Sequence, residues 1–82
     1  MTVKAQILKK IQQMKCDFKT LGVVDFTLRS GDLGKIYGFY NKSSNGSLPG
    51  VCHGMKAAML KDDRIIGPPS GMGANVYVCY KI

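Results

Sequence analysis

His53 is the only histidine among the 82 residues, so any imidazole acid–base chemistry must run through it, with Tyr37, Tyr40 or a nearby lysine as partner. A basic chain that held RNA while His53 moved the 2′-hydroxyl proton would be a single-histidine ribonuclease of the small-toxin kind. A lone histidine in a helix's first turn is more often a surface or capping residue, and no catalytic residue is assigned. Cys52 and His53 are adjacent, whereas a tetrahedral metal takes ligand pairs spaced by about two to four residues, and Cys16 and Cys79 supply no such pair. No metal and no cofactor are assigned. Cys52 at a helix N-terminus would have a lowered pKa only if exposed. The three thiols are most simply small, reduced core residues, since a secreted domain of this size usually carries a denser, even set.

The glycine-rich stretches fail as phosphate loops. Gly31-Asp32-Leu33-Gly34-Lys35 lacks the spacing before Gly-Lys and the following Ser or Thr, and Gly71-Met72-Gly73 has no third glycine. Ser70 follows Pro68-Pro69, where a nucleophile elbow needs a glycine two residues before its serine. The stronger signal is basic and aromatic: Arg29, Lys35 and Lys42 lie close in sequence to Tyr37, Phe39 and Tyr40. Aromatic faces stack on unpaired bases while cations neutralise phosphates, which makes this segment a candidate surface for RNA or single strands. Strand alternation would put Tyr37 and Phe39 on one face and Ile36 and Tyr40 on the other, and either pair could be the wet one. Lys9, Lys10, Lys15 and Lys19 form a second basic stripe.

The elements that must position these residues follow from periodicity. Val3, Ile7, Ile11, Met14, Phe18 and Leu21 lie on one face of a helix over residues 3–20, with Thr2 as its cap and Gly22 as its left-handed end. Val23 to Arg29 alternates as a strand, with Val24, Phe26 and Leu28 against Asp25, Thr27 and Arg29. Residues 30–34 read as a turn and 35–40 as a second strand, the two strands forming a hairpin in which Gly38 marks a bulge or a close approach. Residues 41–50 read as a loop. Val51, Met55, Ala58 and Met59 define a second helix that Asp62 and Asp63 follow unfavourably. Residues 64–66 are a short, weakly signalled strand, 67–73 a loop, and 75–82 a last strand with Val76, Val78, Tyr80 and Ile82 on one face.

This order, α-β-β-α-β-β, predicts a single α+β domain over residues 1–82, with an antiparallel sheet of three to four strands packed on two helices. Twelve Lys and Arg stand against five acids, a net charge of +7, which favours nucleic acid or an acidic protein surface as partner. Lysines interrupt every apolar stretch near the N-terminus, so neither a membrane span nor a signal peptide is expected, and a cytoplasmic location follows. The leading expectation is a small, non-enzymatic binding protein that meets RNA or single strands through the basic-aromatic hairpin and the lysine-rich first helix. The alternative is an inhibitor or accessory protein, of the kind viruses and mobile elements encode, that docks on a larger protein. An exposed strand edge would also allow pairing into a homodimer.

Overall fold

In the computed structural model, which describes residues 2–39, 48–68 and 70–82, the first helix, α1, spans Val3–Thr20. Its start is fixed by Thr2, whose Oγ1 accepts a hydrogen bond from the Ala5 amide at 3.1 Å. Its end is a Schellman turn: the Gly22 amide donates to the Lys19 carbonyl and the Val23 amide to Phe18, with Gly22 at φ 82°. Ile7 and Ile11 are fully buried, and Val3, Met14 and Phe18 flank them half-buried. Leu21, the last of the periodic series, instead lies 76% exposed beyond the helix.

The strand β1 covers Asp25–Arg29, as the alternation predicts. The next element differs from expectation. Ser30–Ile36 is a helix, α2, not a turn leading into a strand, so no hairpin joins 23–29 to 35–40. Two contacts explain the difference. Ser30 Oγ donates to the Gly73 carbonyl at 2.6 Å and accepts from the Val76 amide at 3.1 Å, which draws the chain toward a distant segment. Gly38 then repeats the Gly22 device: its amide donates to Lys35, the Phe39 amide donates to Gly34, and its φ is 78°. Gly38 is thus a helix terminator, not a strand bulge. Tyr40 and residues 41–47 of the expected loop lie outside the described residues, while Leu48–Gly50 already belong to the following helix.

That helix, α3, spans Leu48–Ala57, with Pro49 in its first turn, where a missing amide costs nothing. Val51, Cys52, Met55 and, just past its end, Ala58 are buried, in keeping with the periodicity. Gly50 and Gly54 face α1 so closely that a Cβ at Gly54 would lie 2.6 Å from Ile7 Cβ, and one at Gly50 2.9 Å from Val3 Cβ. The two helices therefore pack with almost no side chain between them at these points.

Two further strands, β2 (Arg64–Ile65) and β3 (Tyr77–Lys81), complete an antiparallel sheet of order β1-β3-β2. The central β3 pairs Phe26 with Tyr80 and Leu28 with Val78 on one side, and Ile65 with Val78 on the other. Among the described residues the element order is therefore α-β-α-α-β-β, with three helices in place of two. The α+β class and the antiparallel sheet stand as expected. Val76, Val78 and Tyr80 point into the core shared with α1 and α3, whereas Ile82 stays 40% exposed. Tyr80 stacks on Phe26 at 5.4 Å, Phe26 meets Phe18 edge-on at 4.9 Å, and the Tyr80 hydroxyl donates to the Met55 carbonyl at 2.7 Å. Burial, with the nearby Asp63 charge adding to it, raises the Tyr80 pKa and keeps the phenol a neutral donor. Among the described residues no helix is long and apolar enough to cross a membrane.

Candidate nucleic-acid interface

The loop between β2 and β3 folds back on the helices. Cys52 Sγ donates to the Gly73 carbonyl at 3.3 Å, and Lys56 Nζ reaches Met72 Sδ at 3.7 Å, so both side chains of α3 hold this loop. The start of α2 holds it from the other side through the Ser30 bonds and through the Gly31 amide, which donates to the Ala74 carbonyl at 2.9 Å. Gly31 is obligatory there, because a Cβ would sit 2.8 Å from that carbonyl oxygen. With its inner face spent on α1 and the loop, α3 leaves Pro49, His53 and Ala57 exposed on its outer side.

Arg29 sits where β1 becomes α2. Its Nε and one terminal nitrogen donate to Asn75 Oδ1 at 3.1 and 2.8 Å, and the other donates to Asp32 at 2.9 Å. The guanidinium is thereby oriented against the end of the β2–β3 loop while remaining 27% exposed. Lys35 lies exposed in the last turn of α2. These two predicted residues belong to adjoining elements on the segment that leads into α3.

The other predicted residues are dispersed. Tyr37 and Phe39 do not share a strand face: both are half-buried against the core, and the Lys10 ammonium lies 4.3 Å above the Tyr37 ring. The exposed neighbour is Ile36, at 71%. An aromatic platform for unpaired bases is therefore absent from this segment as described. Lys42 lies outside the described residues. Lys9 is exposed on α1, but Lys15 is not a free cation: its Nζ pairs with Asp63 at 3.0 Å and sits 5.2 Å from the Tyr80 ring centre.

Asp63 is the buried counterpart, its side chain only 1% exposed. Burial pushes its pKa up, but the Leu60 and Lys81 amides, donating at 2.8 and 2.7 Å, and the Lys15 ammonium outweigh that and hold it below the usual 3.8. A shallow depression lined by Lys61, Asp62, Asp63, Arg64 and Lys81 opens beside it. Asp63 is already engaged there, so the depression is the outer side of a structural ion pair. Among the described residues no hydrogen bond joins His53 to a carboxylate or a tyrosine, and no three His, Cys, Asp or Glu side chains cluster to hold a metal.

Comparison with family models, with curated proteins and with solved structures finds no match to this chain. The arrangement itself must carry the functional reading. Sequence reasoning missed Asp32, Asn75 and Lys56, which hold Arg29 and the hairpin loop. Asp32 was accessible to it as an acid in a helix's first turn, ending at a glycine as α1 does; Asn75 and Lys56 act across the fold and left no local signal.

Proposed function

We propose that the protein binds nucleic acid, and that α2, α3 and the β2–β3 hairpin act as a helix-turn-helix with a β wing on duplex DNA. The observation that carries this reading is the order of α2, α3 and hairpin, with the hairpin loop bonded to α3 and the outer face of α3 left uncovered. In a helix-turn-helix the second helix enters the major groove, its N-terminal residues nearest the base edges. Here that helix is α3, and its open residues are Pro49, His53 and Ala57. Its connection to α2, residues 37–47, is longer than the roughly three or four residues of the plain motif.

In this reading Lys35, Lys56 and Arg29 face phosphate, His53 faces base edges, and the net charge of +7 supplies the long-range attraction. Duplex takes the place of single strands as the favoured ligand because Tyr37 and Phe39, the described aromatics of the basic segment, are half-buried and do not offer unpaired bases a stacking surface there.

The test is binding to labelled duplex DNA, single-stranded DNA and RNA across a salt series. Duplex is expected to bind most tightly, and the Lys35→Ala and Lys56→Ala changes are expected to lower the slope of log affinity against log salt by about 1 each. His53→Ala is expected to relax sequence preference while leaving that slope unchanged. Equal binding to all three nucleic acids, lost near physiological salt, would instead assign the positive charge to an acidic protein partner.

A further inference from the structure

Among the described residues the strand β1 has a neighbour on one side only, because β3 is the centre of the sheet. The phase of its hydrogen bonds is set at both ends: the Ile82 amide donates to the Val24 carbonyl, and the Ser30 amide to the Val76 carbonyl. Bonding alternates along an antiparallel pair, so Phe26 and Leu28 also direct their backbone groups at β3. Asp25, Thr27 and Arg29 therefore turn their N–H and C=O groups outward, along an edge that meets no other strand among the described residues. Phe26 and Leu28 reach that rim half-buried, and Val24 beside it is 73% exposed.

We propose that a second copy of this chain pairs with that edge, β1 against β1, antiparallel about a two-fold axis through Thr27. The residues of β1 are self-complementary in this register. Asp25 falls opposite Arg29 of the second copy, Phe26 opposite Leu28, and Thr27 opposite Thr27, each heterologous pair occurring twice by symmetry. The parity also fits, since Asp25, Thr27 and Arg29, the residues with outward backbone groups, meet one another and exchange the ladder bonds. Sliding the strands by two residues in either direction removes the Asp25–Arg29 pair. A parallel, in-register arrangement sets Asp25 against Asp25 and Arg29 against Arg29. Edges that avoid pairing usually carry like charges, which repel a copy of themselves; this edge carries one of each sign, placed symmetrically.

Both charged side chains are already oriented on the solvent face of the sheet. Asp25 is held by Lys81 at 3.3 Å, and Arg29 by Asn75 and Asp32. Pairing would join two three-stranded sheets into one continuous sheet through the backbone. An edge of this length is small beside the roughly 1,600 Å² of a standard interface, so the dimer forms with rising protein concentration and dissociates on dilution.

Sedimentation of the full chain without nucleic acid tests this independently of the DNA reading. The mass is expected to rise from 8.9 kDa toward twice that value with concentration. Thr27→Pro removes the central outward N–H but no bond to β3, and is expected to hold the chain at the monomer mass. Should that variant fail to fold, Asp25→Arg and Arg29→Asp provide the same test by charge. Each sets like charges across the axis and is expected to be monomeric alone, while an equimolar mixture restores the dimer. A wild-type chain that stays monomeric throughout overturns the proposal, as does a dimer that none of these changes disturbs. A mixture that fails to reassociate overturns the register.

Discussion

Asp63 shows how far the role of a charge can depart from its place in the sequence. Following a helix, it reads as a destabilising end charge; in the fold it is a buried acceptor for two backbone amides and one ammonium. Because its pKa is lowered on folding, it stabilises the protein above its ordinary value of 3.8 and that contribution is lost as pH falls through the folded value. Urea midpoints measured from neutral pH downward are therefore expected to fall below about pH 4, and Asp63→Asn is expected to flatten that part of the profile. The same substitution leaves Lys15 unpaired at 17% exposure and is expected to cost about 3 kcal/mol at neutral pH. Lys9→Ala, on the exposed side of the same helix, is expected to leave the urea midpoint within about 0.5 kcal/mol of the original.

Among the elements, what was legible was whatever a local pattern could decide. The cap, length and stop of α1, the alternation of β1 and the inward face of β3 are each written within a few consecutive residues. The helix α2 was not, because Gly31 and Gly34 look like a turn. Gly31 is glycine because the hairpin carbonyl of Ala74 crosses at that point, a reason that lies more than forty residues away. The partner of β1 was hidden for the same reason: proximity favours a hairpin with residues 35–40, but β3 offers Val78 and Tyr80 opposite Leu28 and Phe26. The candidate interface depends on these two long-range choices: of the residues assigned to it, the sequence marks Arg29 and Lys35 as nucleic-acid contacts, His53 only as a proton-transfer candidate, and Lys56 not at all. Two glycine substitutions separate conformational from packing costs. Gly38→Ala meets no atom within 4 Å but must hold φ near 78°, and is expected to destabilise by about 1 kcal/mol. Gly54→Ala keeps a helical φ yet drives a Cβ into Ile7 and the Lys4 carbonyl, and is expected to cost about 2–3 kcal/mol by forcing α1 and α3 apart. Thermal melts of the two variants give the comparison.

For the molecule as a whole, the excess of positive charge sets two salt dependences against each other. Three of the five carboxylates, Asp25, Asp32 and Asp63, are occupied by Lys81, Arg29 and Lys15, so most remaining cations have no local counter-charge. Their mutual repulsion acts on the compact state more than on the expanded one, and salt screens it over about 10 Å at 0.1 M. Adding sodium chloride is therefore expected to raise the melting temperature of the free protein while it weakens binding to duplex DNA. The exposed ion pairs do not reverse this, since pairs such as Lys81–Asp25, each side chain about half exposed, contribute little to stability. Melting curves and binding isotherms taken over one salt series test both slopes on the same sample. A melting temperature that falls with salt would mean that the paired charges outweigh the unpaired ones. The protein's positive surface would then be balanced within the fold, leaving less of it to meet phosphate.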